Sequence, residues 1–163
     1  MIREITTADR EVFLQLLDEF YHSPAVLHPV PRTYFERTFQ EVTSGSPYAR
    51  AYLLECGGAP AGYAQLSFTY ATEAGGRVIW VEELYVRPQY QGRGLGGAFF
   101  RFLEETYAGQ AARIRLEVEP DNDGARRLYG RVGFEELPYM QMWSTVAILN
   151  TLLVLYRVLK KPY

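Results

Sequence analysis

The sequence predicts an α+β domain built on a mixed, largely antiparallel sheet flanked by helices. Three observations carry that expectation. Two segments with helical apolar spacing come first; three segments rich in aromatic and β-branched residues, separated by glycine turns, follow; the remainder alternates strand, helix, strand, helix.

A short strand at residues 2–5 leads into a helix with Thr7 as its N-cap, acids Asp9 and Glu11 in its first turn, and Phe13, Leu16, Leu17 and Phe20 on one face. That helix ends near His22. Prolines at 24, 29 and 31 impose a loop over residues 23–31, after which Phe35, Phe39 and Val42 recur at helical spacing until Gly45-Ser46-Pro47 stops them. Residues 49–56, 61–70 and 77–87 read as an antiparallel meander, punctuated by Gly57-Gly58-Ala59-Pro60 and Ala74-Gly75-Gly76. Beyond Gly94, Leu95, Phe99, Phe102 and Leu103 mark a helix; residues 114–118 alternate as a strand, and residues 125–132 are helical again. A strand, helix, strand succession in one sheet implies a parallel pair with a right-handed crossover, so strands 77–87 and 114–118 run side by side. Short strands at 134–137 and 139–143 complete the expected sheet.

The 163 residues suffice for one core, and 48% apolar with 22% charged residues is a globular composition. A net charge of −2 without a basic stripe excludes nucleic acid as the expected partner. The single cysteine, Cys56, excludes an intrachain disulfide and a thiolate metal cluster, and the N-terminus Met-Ile-Arg-Glu lacks the apolar core of a signal peptide. A reducing, cytoplasmic setting is expected. Residues 1–143 read as one domain and residues 144–163 as an apolar, helical tail. From 145 to 159 the tail is broken only by Asn150, Thr151 and Arg157, and it is shorter than the roughly 20 residues of a membrane-spanning helix. It is expected to pack on the domain or on a second subunit in a homodimer, with no transmembrane segment.

The strongest signal joins the third meander strand to the next helix: Val86-Arg87-Pro88-Gln89-Tyr90-Gln91-Gly92-Arg93-Gly94-Leu95-Gly96-Gly97. Its glycines let backbone N–H groups at a helix N-terminus close on an anion, and the helix dipole favours one there. A pyrophosphate fits that nest. Gly92, Gly94 and Gly97 also satisfy G-x-G-x-x-G, and Glu117 or Glu119 lies where a dinucleotide fold places its ribose-binding acid. A dinucleotide site, however, puts its first glycine directly after the strand of an opening βαβ unit. Here a Pro-Gln-Tyr-Gln loop intervenes, a meander precedes, and too little chain follows.

At Gln91, Gly94 and Gly96 the sequence resembles the GNAT superfamily of acyl-CoA-dependent N-acyltransferases, whose pyrophosphate motif is Q/R-x-x-G-x-G/A. The run from Asn122 to Tyr129 followed by Gly133-Phe134 is similar to the superfamily's second motif, N-x-x-A-x-x-L/F-Y-x-x-x-G-F, and Glu82-Glu83-Leu84-Tyr85-Val86 extends the match to about residues 80 to 136. The resemblance implies acetyl-CoA as cosubstrate, a small amine or a protein amine as acceptor, and a sheet splayed between the fourth and fifth strands. It implies cofactor contacts from Leu84, Tyr85, Val86, Arg87, Gln91, Gly92, Arg93, Gly94, Leu95, Gly96, Gly97 and Asn122. Val86 would supply the oxyanion donor, Arg87 and Arg93 would meet phosphates, and Asn122 would bond the pantetheine arm or cap its helix.

The chemistry requires a base, because an alkylammonium with a pKa near 10 must lose a proton before it attacks a thioester. Glu82 and Glu83 interrupt an apolar strand, and burial beside Trp80 would raise a carboxyl toward the working range. Neighbouring strand residues face opposite sides, so one is expected in the cleft unless a bulge intervenes. The resemblance favours Glu82 as a water-mediated base and Glu83 as an acceptor contact, roles a bulge could reverse. Tyr129 takes the general-acid position, and Tyr21 and His28 would line the acceptor site. Two histidines, His22 and His28, without an acidic companion do not make a metal site. An acidic pair leans toward a cationic acceptor. A non-catalytic acyl-CoA-binding or regulatory module is the alternative, against which intact Glu82 and Tyr129 argue.

Overall fold

The computed structural model describes residues 1–26 and 28–144. The elements run β1 (Ile2–Glu4), α1 (Arg10–Tyr21), α2 (Arg32–Thr43), β2 (Ala49–Cys56), β3 (Ala59–Ala71), β4 (Gly76–Val86), α3 (Leu95–Tyr107), β5 (Arg113–Leu116) and α4 (Asp123–Arg131). They form one sheet in the order β1-β2-β3-β4-β5. The first three pairings are antiparallel and β4–β5 is parallel, which is the mixed sheet expected.

Period-two alternation gives the sheet two apolar faces. Ala51, Leu53 and Tyr63 pack under α1 and α2 with Phe13, Leu16, Leu17, Phe35 and Phe39. Tyr52, Leu54, Ala64, Leu66, Ile79 and Val81 pack under α3 with Phe99, Phe100 and Leu103. The parallel ladder ends at Val81 opposite Leu116, whereas β4 stays paired with β3 as far as Val86. The fourth and fifth strands therefore part beyond Val81, and the opening holds the residues of interest.

Three expectations need correction. Helix α1 is not capped by Thr7: a 3₁₀ turn spans Thr7–Asp9 and the α-helix starts at Arg10. The cause is Asp9, whose Oδ2 accepts from the Thr6 N–H and hydroxyl, both at 2.8 Å, while Arg3 of β1 donates to both carboxylate oxygens at 2.9 and 2.7 Å. The fifth strand ends at Leu116 rather than 118. Finally, residues 134–137 and 139–143 form no strands; they are irregular, with Tyr139, Met140, Met142 and Trp143 exposed. Pro138 removes a ladder donor, Phe134 packs on Phe100 of α3 and Tyr129 of α4, and Glu136 pairs with Arg126 of α4 at 2.7 Å. The tail expected to pack or dimerise lies outside the described residues from 145 onward.

Asp9 supplies a test of how the N-terminal strand is held. The Arg3 guanidinium holds its carboxyl well below the usual carboxylate range. Its stabilisation is therefore complete above an ordinary carboxyl pKa of about 4 and is lost as pH falls toward the lower folded value. Asp9→Asn is expected to cost about 1–3 kcal/mol in urea unfolding at pH 7. The gap from the parent protein should close in melts below about pH 4.

Candidate active site

Where β4 leaves β5, its pairing with β3 slips. Gln65 opposes Glu83 and Leu66 opposes Val81, so Glu82 has no partner and forms a bulge. In regular alternation Val81 and Glu83 would share a face. Instead Val81 packs beneath α3, while Glu83 turns to the α1 side and meets Tyr21 and Tyr63. Glu82 lies on that side as well, its carboxylate accepting from the hydroxyl of Ser67, in the same β3 row as Tyr63. The bulge thus brings both acids to one face.

Their environments differ. Glu82 is exposed. Glu83 accepts from the Tyr21 hydroxyl through Oε1 and the Tyr63 hydroxyl through Oε2, each at 2.6 Å, among the rings of Phe20, Tyr63 and Tyr85. Burial pushes the Glu83 carboxyl up, an effect the two hydroxyl donors partly reverse and the charge of Glu82 reinforces. The Tyr21 and Tyr63 phenols are raised well above their ordinary value, by burial first and by the Glu83 charge next.

On the opposite face Leu84 and Val86 pack toward α3. The Arg87 N–H reaches back to Ala61 O of β3 at 2.8 Å, so by ladder alternation the preceding amide, that of Val86, points into the opening between β4 and β5. Gly62 permits this edge: a Cβ there would sit 2.1 Å from Tyr85 O.

In the connecting loop Gly92 and Gly94 adopt φ of +72° and +78°, the left-handed region that favours glycine. Gly96 serves packing, since a Cβ would lie 2.6 Å from Leu128 of α4. Leu95 opens α3, with Gly97 in its first turn, and Arg93 is exposed with its guanidinium over the Tyr90 ring. The Gln91 amide donates to Val86 O at 3.0 Å, pinning the loop to the end of β4. Arg87 turns away from the loop: it donates to both oxygens of Glu19 on α1 at 2.8 Å and to Pro60 O at 2.9 Å. An open cleft of about 530 Å³ lies there, lined by Gln15, Glu19, Tyr85, Arg87, Pro88 and Gln89.

On α4, Asn122 Oδ1 caps the helix by accepting from the Ala125 N–H at 3.0 Å, leaving its amide donors for another partner. Tyr129 packs edge-to-face on Phe100 at 5.7 Å and tilted against Phe134 at 5.9 Å. Burial raises its phenol, and its hydroxyl has no hydrogen bond among the described residues. His28 is exposed in the loop after α1 and is not joined to the acid pair by any hydrogen bond among the described residues. Tyr63, Gln65, Ser67 and Glu19 belong to no motif. The signal for the first three is the polar period-two row in an otherwise apolar strand; Glu19 is found only by folding α1 onto β4.

The family model described as the acetyltransferase (GNAT) family matches residues 11–134. An uncharacterized N-acetyltransferase of Methanocaldococcus jannaschii is 28% identical over 152 residues, 87% of this chain and 63% of that protein. The thialysine N-epsilon-acetyltransferase of Bos taurus is 32% identical over 83 residues, 50% of this chain and 48% of that protein. The chain thus spans about half to two thirds of these relatives' lengths. Among solved structures, an integron cassette protein from a salt-marsh metagenome aligns with a TM-score of 0.76 and 25% identity, covering 89% of this chain and 90% of that one. The aminoglycoside acetyltransferase AAC(6')-Iy, solved with a bisubstrate analog, shares the fold at a TM-score of 0.73 and 16% identity, covering 89% and 97%. With the splayed sheet, the glycine loop and a family match over most of its length, this chain belongs to the acetyltransferase (GNAT) family.

Proposed function

We propose that this protein transfers the acetyl group of acetyl-CoA directly to a primary amine. The observation that carries the reading is the bulge at Glu82, which sets two carboxylates on the acceptor face beside the gap where β4 and β5 part. The residues present suit acetyl-CoA: left-handed glycines at the N-terminus of a 13-residue helix with Arg93 exposed beside them, and an inward Val86 N–H.

In this reading Glu83, clamped by two tyrosines, holds the ammonium. Glu82, exposed to solvent, takes its proton through a water and releases it to bulk. The freed amine attacks the thioester carbon while the Val86 N–H donates to the oxygen on which charge develops. The C–S bond breaks, the Tyr129 hydroxyl protonates the departing thiolate, and the tyrosinate regains its proton from the attacking nitrogen, which sheds it on becoming the amide. Arg87 acts by tying α1 to the end of β4 through Glu19, not by meeting phosphate. The acceptor is a cationic amine; the names of the thialysine acetyltransferase and AAC(6')-Iy, both of which point to amine acceptors, agree with that class.

The test is thiol release from acetyl-CoA across amino acids, polyamines, aminoglycosides and peptide amines, together with calorimetric titration of CoA and NAD. CoA binding with amine-dependent release is expected. CoA binding with no amine-dependent release would indicate a binding module, and tight NAD binding without CoA binding would sink the assignment. Gly94→Val forces a β-branched residue into a left-handed backbone, a strain of about 1–3 kcal/mol, and is expected to weaken CoA binding at least about tenfold while the chain still folds.

A further inference from the structure

Across the bulge from Glu83 stands Gln65, in register on β3 and on the same face. Its amide oxygen is shut off from solvent and accepts no hydrogen bond, the only such side-chain atom among the described residues. A buried acceptor left unpaired is costly, and folding rarely leaves one without a reason.

The neighbours cannot supply the missing donor. The Tyr21 and Tyr63 hydroxyls are committed to Glu83, and the Ser67 hydroxyl to Glu82. Of the guanidiniums on this side, that of Arg87 is neutralised by Glu19, and that of Arg115 lies over the Trp80 ring at 4.6 Å. What remains is a row dominated by acceptors, two carboxylates and one orphaned carbonyl oxygen, with the Gln65 amide itself as the one neighbouring side-chain donor left unassigned. An anionic ligand would add acceptors to acceptors. A primary ammonium brings positive charge and three N–H groups.

We propose that the Gln65 amide oxygen, uncovered as the acceptor enters the row, receives one N–H of the acceptor amine and thereby sets the preference of the site for primary over N-alkylated amines. The inference rests on the acetyl-transfer reading for the amine's identity and adds a residue that reading does not use. With Glu83 directly and Glu82 through its water it completes three acceptors for three N–H groups, so an N-methyl substituent would leave one acceptor unpaired and crowd the row.

Gln65→Met keeps the length of the side chain and removes the acceptor. With cadaverine and N-methylcadaverine as probes, the variant is expected to raise the KM for cadaverine at least about tenfold, the loss of a hydrogen bond to a charged group. Acetyl-CoA KM should hold, and the preference for cadaverine over its N-methyl derivative should shrink. Melting should rise by roughly 2–4 °C, because an unsatisfied polar atom has been removed. An unchanged cadaverine KM would overturn the proposal, as would a lower melting temperature with both KM values rising together, the pattern of a structural amide. Gln65→Leu, read in the same way, stands in if the methionine variant does not fold. Were no amine to accelerate thiol release, the reaction reading would fall, and calorimetric titration of cadaverine would still decide the role of Gln65. Binding about tenfold weaker to the variant supports it; equal affinity, or no binding to either protein, overturns it.

Discussion

Tyr129→Phe is expected to lower the turnover number by about 10²- to 10⁴-fold, the usual contribution of a positioned general acid, with acetyl-CoA KM nearly unchanged. The ring contacts that fix α4 against α3, with Phe100 at 5.7 Å and Phe134 at 5.9 Å, survive the substitution. Only the hydroxyl is lost, and no hydrogen bond within the described protein depends on it. Burial holds the phenol above its ordinary value of 10, so it stays protonated throughout the neutral range and no decline in activity below that value is assigned to it. The defect should shrink with an acyl donor whose leaving thiol is more acidic, because such a thiolate departs without help. Wild-type turnover in Tyr129→Phe, measured where chemistry limits the rate, would mean that the thiolate leaves unaided or through water.

Much of this site is legible in the sequence because its parts are local. A glycine that must adopt a left-handed φ announces itself, and Gly92 and Gly94 do so at +72° and +78° directly before a helix. Asn122 caps the helix it precedes, as its side chain suggests. Parallel pairing of the fourth and fifth strands follows from the helix between them. What is not legible depends on register and on distant pairing. Strict alternation places Glu82 and Glu83 on opposite faces; a slip between Gln65 and Leu66 overrides it, and nothing in either strand's composition marks the slip. The ion pair that Arg87 makes with Glu19, 68 residues earlier, cannot be read from its place beside the loop. Residues 134–143 have strand-like composition, but Pro138 cannot donate to a ladder and Phe134 packs on Phe100 and Tyr129.

The two carboxylates are separable by substitution, and the expected signatures differ in kind. Glu82→Gln removes the proposed proton acceptor and should lower kcat by about 10²- to 10⁴-fold at pH 7, with little change in acceptor KM. Because the proton to be removed belongs to an ammonium with a pKa near 10, each unit of rising pH leaves about tenfold more free amine, and the variant should recover part of its activity by pH 9. Glu83→Gln removes the anion proposed to hold the ammonium, so the acceptor KM should rise at least about tenfold while kcat falls less. Stability gives an independent reading of the same site. Burial raises the folded-state pKa of Glu83, so its favourable contribution is full at acidic pH and is lost as pH rises through that folded value. Glu83→Gln should therefore melt no lower than the parent at neutral pH, and the small decline of the parent's melting temperature between acid and neutral pH should be absent. If the kinetic signatures are exchanged, with Glu83→Gln losing kcat in a pH-recoverable way and Glu82→Gln losing acceptor affinity, then the buried carboxylate is the base. The solvent-facing one would then dock the substrate, and the bulge that brings both to one face would have reversed their roles.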